Sequence, residues 1–225
     1  RFAELEFARS HAARWEGDLD RAHARMSQAC DLARRHEDRW RESGCLVWLA
    51  TIDLERQRFD LVLRHCDAIE RIAARMGQGQ APVANALRAL AHLMSSGRDD
   101  TSSLDRSLVA LREFDDKAQL AYVLNHSAAL HLAHGRTTQA RAAATEAMAT
   151  ARAVRRTTEI AGAGAILARA LAADGDRAAA VACLEDVAAT CEPASLSARA
   201  RAHVETAARE IGAPMPKLAP QPQGA

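Results

Sequence analysis

His131-Leu132-Ala133-His134-Gly135-Arg136-Thr137-Thr138-Gln139-Ala140-Arg141-Ala142-Ala143-Ala144 is the stretch on which the reading of this chain turns. Upstream of it, Leu120, Leu124, Ala128 and Leu132 follow the 3-and-4 spacing of one helix face. Downstream, Ala140, Ala144, Ala147 and Ala151 do the same. Between them stands Gly135, the residue type that ends a helix in a left-handed turn at least cost. The stretch therefore reads as two helices joined by a tight turn. Their facing sides carry small residues, which lets the backbones approach closely.

The same break recurs along the chain. Glu16-Gly17-Asp18, Arg56-Gln57-Arg58, Ser96-Gly97-Arg98, His134-Gly135-Arg136 and Asp174-Gly175-Asp176 have centres at 17, 57, 97, 135 and 175, a period of about 40 residues. A second set of breaks alternates with the first, near 36–38, 77–80, 115–116, 155–157 and 192–193, and is expected to form looser loops. Each unit is helix, tight turn, helix, loop. Leu46, Leu49, Ala50 and Asp53 mark a face of one first helix, and Ile166, Ala170 and Ala173 another. The second helices carry Ala22, Met26, Ala29, Cys30 and Ala33, then Val62, Cys66, Ile69 and Ala73, and later Ala180, Leu184 and Val187. One such pair cannot bury its apolar stripe alone, but stacked neighbours form a continuous core. Asp18, Thr137 or Thr138, and Asp176 are expected helix N-caps, and Ser195 or Ser197 caps the last helix. Pro82 suits a first helical position. The expectation is an all-α, right-handed α-solenoid of about five helix-turn-helix repeats plus a terminal helix, over residues 1–211. The segment 212–225 holds Pro214, Pro216, Pro220 and Pro222 and reads as a tail without fixed structure.

Composition agrees. The chain has 225 residues, a formal net charge of +1, 48% hydrophobic and 4% aromatic residues, and 53 alanines, which favours helix nearly throughout. A near-neutral balance argues against direct binding to nucleic acid or an acidic membrane surface. No apolar run approaches the roughly 18 to 20 residues of a membrane span. Cys30, Cys45, Cys66, Cys183 and Cys191 are odd in number and lack zinc-ribbon spacing. They read as small buried apolar residues of a reducing cytoplasm. Cys183 and Cys191 stand eight apart, on one helix face. Residue 1 is Arg inside a helical pattern, so the chain is expected to be a piece of a longer protein that brings neighbouring modules. Of 30 basic residues only Lys117 and Lys217 are lysines, an association with GC-rich bacterial genomes.

Gly135 to Ala140, followed by Ala144 and Ala147, resembles the turn and second helix of a tetratricopeptide repeat. Leu124, Ser127 and Ala128 resemble the large, medium and small positions of that motif's first helix. Gly17 to Ala22 and Gly175 to Ala180 resemble the same turn. The second and third units depart from it: Gln57 replaces the turn glycine, and residues 99–103 are extra. Units near 40 residues, with endings such as Ala33-Arg-Arg-His-Glu-Asp38, are similar to the repeats of MalT-like bacterial regulators and of some adenylate cyclases with an attached ATPase. That resemblance covers about residues 2–211. It implies a sensor or docking domain of a cytoplasmic signal-transduction or transcriptional regulator.

Catalytic patterns are absent. There is no Gly-Lys-Ser/Thr phosphate loop, no His-Glu-x-x-His and no Gly-x-Ser-x-Gly elbow. His126, His131 and His134 cluster in sequence without a carboxylate at matching height, so they are not expected to hold a metal. Asp99-Asp100 and Asp115-Asp116 read as solvated loop acids. Arg34, Arg35, Arg39, Arg41, Arg155 and Arg156 lie at or near helix ends, where they suit the dipole. No enzyme activity, cofactor or metal is expected.

The resemblance places first helices on a concave inner face. With the turn centres as register marks, Phe7, His11 and Arg14, then Trp48, Thr51 and Glu55, fall on it in the first two units. Asn85, Arg88 and His92, then Tyr122 and Asn125, and Arg169, follow in the later ones. Aromatic, amide and guanidinium groups give rigid contact area and directed hydrogen bonds to a protein or peptide partner, or to a small effector. The alternative is a constitutive scaffold that joins proteins without an effector. The apolar edges of the end helices also permit a homo-oligomer.

Overall fold

A computed structural model describes residues 2–77, 81–97, 100–192 and 195–214. Part of the expected second loop (78–80), of the third break (98–99), of the loop at 193–194 and most of the proline-rich tail (215–225) lie outside the described residues. The fold is an all-α helical repeat. Eleven helices among the described residues pack in consecutive pairs: α1 (Phe2–Glu16), α2 (Leu19–Arg35), α3 (Arg39–Glu55), α4 (Phe59–Arg75), α5 (Pro82–Ser96), α6 (Ser102–Glu113), α7 (Lys117–Ala133), α8 (Thr137–Ala153), α9 (Thr157–Ala173), α10 (Arg177–Thr190) and α11 (Ala198–Ile211). The chain divides into two compact units, Arg1–Asp115 with α1 to α6 and Asp116–Ala225 with α7 to α11.

The links are more regular than the sequence suggests. Helices α2, α3, α4, α7, α8 and α9 all have 17 residues. Three-residue links join α2 to α3, α3 to α4, α7 to α8, α8 to α9 and α9 to α10. At each turn the chain enters the left-handed region. Gly17, Gly135 and Gly175 do so at φ 92°, 70° and 87°, and Gln57 at 58° without the freedom of glycine. The second set of breaks does the same at Glu37 (φ 55°), Gly77 (74°), Asp115 (56°) and Arg155 (54°). The links at Glu37, Asp115 and Arg155 are not looser and share the geometry of the tight turns, whereas six residues join α4 to α5 and seven join α10 to α11. The residue after the left-handed one donates its N–H five residues back: Asp18 to Ala13 (2.9 Å), Asp38 to Ala33 (3.0 Å), Arg58 to Asp53 (2.8 Å), Arg136 to His131 (2.9 Å), Arg156 to Ala151 (2.9 Å) and Asp176 to Leu171 (3.0 Å). This closes the C-terminus of one helix in a Schellman motif.

That closing residue is also the N-cap of the next helix. Asp18, Asp38, Asp116 and Asp176 accept the backbone N–H of Arg21, Arg41, Gln119 and Ala179. Arg58, Arg136 and Arg156 occupy the same place with no side-chain cap. The expected cap at Thr137 or Thr138 is therefore displaced: the turn needs one residue after Gly135, and that residue is Arg136. Pro82 stands at the start of α5, and Ser197 caps α11 through the Ala200 N–H.

Small residues set the helix spacing. Ala22, Ala50, Ala84, Ala86, Ala121, Ala128, Ala140, Ala144, Ala147 and Ala163 are wholly buried. Gly164 of α9 lies tight against α10, where a Cβ would lie 2.1 Å from Val187 Cγ2. Helix α11 packs on α9 more than on α10, so it takes the place of the first helix of a further pair.

Two outcomes follow from this backbone. Gly164→Ala overpacks the α9–α10 contact and should lower stability by about 1 to 3 kcal/mol. Gly162→Ala, whose Cβ would meet only Asn125 Nδ2 at 3.4 Å, should do far less harm; urea unfolding compares the two. Arg58→Asn supplies the missing cap of α4 and should raise stability by about 0.5 to 1 kcal/mol in the same assay.

Candidate functional site

Within the first unit, α1 and α3 bring together five of the expected residues. Phe7 lies tilted on His11, with ring centroids 4.6 Å apart, and His11 meets Trp48 edge-on at 4.3 Å. The Arg14 guanidinium sits 5.3 Å over the Trp48 ring. It also donates Nη2 to Glu55 Oε1 at 2.5 Å and Nε to Oε2 at 3.2 Å. The His11–Trp48 and Arg14–Glu55 contacts join first helices of successive pairs, and the Arg14 and Glu55 side chains are mostly buried, 13% and 6% exposed. A guanidinium held between an aromatic face and a bidentate carboxylate is a rigid group. Thr51 is different. It is buried, and its hydroxyl donates to Val47 O at 2.9 Å, within its own helix.

Asn85, Arg88 and His92 line a separate open cleft with Ser103, Arg106 and Ser107 of α6. Arg88 reaches α4, donating to Glu70 Oε1 at 2.5 Å and Asp67 Oδ1 at 2.8 Å. This face of α5 thus turns toward second helices.

The second unit holds a small cleft formed by α7, α9 and α11. Asn125, His126 and Ala129 come from α7, Thr158, Glu159, Gly162 and Ile166 from α9, and Arg199, Ala200 and His203 from α11. Glu159 is its centre and is 3% exposed. Its Oε2 accepts from Asn125 Nδ2 at 2.7 Å, its Oε1 from Arg199 Nη2 at 3.1 Å, and its backbone oxygen from Asn125 at 3.0 Å. The Arg199 guanidinium lies 5.6 Å over the Tyr122 ring, and Tyr122 tilts against His126 at 4.6 Å. Gly162 leaves room for the Asn125 amide. Asn125 Oδ1 is buried with no hydrogen-bond partner among the described residues.

Tyr122 and Asn125 are thus brought together, and Arg169 lies apart, paired with Glu210 of α11. Glu159 and Arg199 were not foreseen. Their only signal was the repeat itself, since they stand 40 residues apart.

Of the three clustered histidines, His131 is buried, His134 contacts Leu130 O through Nδ1 at 2.8 Å, and His126 faces the cleft. Among the described residues, the group that could hold a metal is another one. His23 of α2, Asp53 of α3 and His65 of α4 place their ligand atoms within 4.8 Å of one another. Burial works to raise the Asp53 carboxyl, but hydrogen bonds from His23 and His65, the charge of His23 and the Arg56 guanidinium outweigh it and hold the group well below the ordinary carboxylate range.

All five cysteines are free. Burial pushes the thiols of Cys30 and Cys66 up to about 12, and those of Cys45 and Cys183 to about 11. Cys191 is the C-cap of α10, in extended backbone rather than on the helix face with Cys183. Cys183 donates to Gly164 O and Cys191 to Thr157 O.

No family model matches the chain, and no curated protein matches it. Among solved structures it is similar to BtubC (BKLC) from P. vanneervenii, with a TM-score of 0.52 over 96% of this chain and 82% of that one, at 16% identity. It is also similar to a signal transduction ATPase with numerous domains and a tetratricopeptide repeat sensor from Pyrococcus horikoshii, with a TM-score of 0.47 and 14% identity. There the match covers 92% of this chain and 35% of that one. At such identity the likeness to BtubC is one of fold, the packed helical repeat.

Glu159→Ala removes the acceptor of both Asn125 and Arg199 at a buried position and should cost about 1 to 3 kcal/mol in urea unfolding. Arg199→Ala, which leaves the buried Glu159 carboxylate without its counter-charge, should cost at least as much.

Proposed function

We propose that this chain is a recognition domain that binds a protein or peptide segment, or a small effector, through the faces of its first helices. The observation that carries the reading is the cleft of the second unit. Its polar groups are fixed in advance by Glu159, and Asn125 Oδ1 is presented as a buried acceptor. A buried acceptor is stabilised by a donor from a ligand. Ala129, Ile166 and Ala200 give the same cleft an apolar lining, and Tyr122 lies beside it under Arg199. A peptide in extended form fits this chemistry, because its backbone N–H supplies the donor and a small apolar side chain meets the apolar lining. The Arg14, Trp48 and Glu55 cluster of the first unit is a second surface of the same kind.

On this reading the domain is the sensor or docking part of a bacterial signal-transduction or transcriptional regulator. The support is the resemblance of Gly135 to Ala147 and of the 40-residue unit to MalT-like repeats. A cytoplasmic setting is supported by five free, mostly buried thiols. The domain performs no catalysis and takes no part in nucleic-acid or membrane contact; it acts through its partner and through neighbouring modules of its parent chain.

Selecting a random displayed-peptide library on the intact chain tests the reading. The selected peptides, followed by fluorescence anisotropy, should lose about 10-fold in affinity with Asn125→Ala, the worth of one buried hydrogen bond. They should lose more with Arg199→Ala. Peptides that bind both folded variants as tightly as the parent would remove the cleft from the proposal.

A further inference from the structure

Three successive helices of the first unit carry a side-chain constellation that peptide recognition does not use. His23 Nε2 of α2 lies 3.4 Å from Asp53 Oδ2 of α3. His65 Nε2 of α4 lies 3.1 Å from the same oxygen. The Asp53 side chain is fully buried, while those of His23 and His65 are 27% and 18% exposed. The other carboxylate oxygen, Oδ1, accepts from Arg56 Nη1 at 2.8 Å. Arg56 in turn reaches Asp20 of α2 at 2.6 Å.

These distances suit a metal. A tetrahedral zinc ion with bonds of about 2.0 to 2.1 Å places neighbouring ligand atoms about 3.3 Å apart. Both histidine nitrogens already stand at nearly that distance from Oδ2. Arg56 occupies Oδ1, so the carboxylate presents a single oxygen and its orientation is fixed, as outer-shell partners do in metal sites. Asp20 offsets the positive charge that Arg56 brings. Neutralising the buried carboxylate requires only Arg56; two imidazoles converging on the other oxygen through the same ring atom exceed that need. The rings are partly exposed, so the two nitrogens are held at the edge of the core rather than sealed within it.

We propose that His23, Asp53 and His65 form a binding site for a divalent transition-metal ion, with zinc as the first choice and water as the fourth ligand. Two imidazoles and one carboxylate suit zinc, nickel or copper(II) rather than magnesium or calcium, which take oxygen ligands. The ligands come from the second helix of one pair and both helices of the next. A bound ion therefore pins two successive repeats together and stabilises the first unit by mass action.

The experiment is a titration of the chelator-treated full chain with Co²⁺, read by visible absorption, with Zn²⁺ as competitor. The expected result is one equivalent bound, intense four-coordinate bands without the near-ultraviolet band of a thiolate ligand, and a rise in Tm. His23→Gln and His65→Gln alter partly exposed rings and should each weaken binding by more than the roughly 100-fold that follows loss of an outer-shell partner. His36→Gln, at an exposed helix end, should change nothing. In the unmodified chain, imidazole ¹⁵N spectra should show Zn²⁺ shifting Nε2 of His23 and His65 and of no other histidine. No binding at one equivalent, a thiolate band, undiminished binding in both variants, or shifts at other histidines would overturn the site.

Discussion

The three-residue link between helices is the constraint from which the rest of the molecule follows. At each link one residue adopts a positive φ, and the next both closes the preceding helix and begins the following one. A link this short gives the chain no choice but to reverse, so neighbouring helices pack side by side in opposite directions. Because most helices have 17 residues, a pair with its links spans 40, and side chains one pair apart reach equivalent heights. The polar contacts obey this rule. Arg14 and Glu55 are 41 residues apart, Glu159 and Arg199 are 40 apart, and Arg169 and Glu210 are 41 apart. The last two pairs keep this spacing across the seven-residue α10–α11 link because α10, at 14 residues, is shorter than its neighbours.

Close packing and polar function are separated by helix type. Second helices turn apolar stripes inward, alanine in α8, larger aliphatic side chains in α4 and α6, and dispersion contacts accumulate over their length. First helices carry larger and more polar groups: Trp48 and Glu55 in the first unit, Tyr122, Asn125 and Glu159 in the second. Glu159 and Asp53 show how such a chain tolerates buried carboxylates. Each has a guanidinium partner and at least one further donor, an amide for Glu159 and two imidazoles for Asp53. A buried charge with several donors is held in one geometry, and a group held in one geometry recognises a ligand without first being ordered.

The individual positions show how far the sequence could be read. Gly135 and its equivalents announce the turns because glycine is common where φ is positive. Glu37, Asp115 and Arg155 adopt the same φ with no such signature, so their links looked longer than they are. Asp18 and Asp176 are visible as caps, while Arg136 is not, since arginine has no capping oxygen. Phe7, His11, Arg14, Trp48 and Glu55 meet as their spacing suggests. Asn85, Arg88 and His92 turn to α4 and α6 instead, which their spacing did not announce.

Helix content, the period of the repeat, the small-residue faces and the first-helix pairs one period apart were decided by local order in the sequence. They depend on backbone preference and on spacing along one helix, and both act over a few residues. The tertiary structure alone decided that Asn125 turns its amide to Glu159, and that His23 and His65 close on Asp53. Those residues lie on different helices, and their meeting depends on the rotation of each helix about its own axis. Packing against neighbours sets that rotation, and no periodicity within a single helix encodes it.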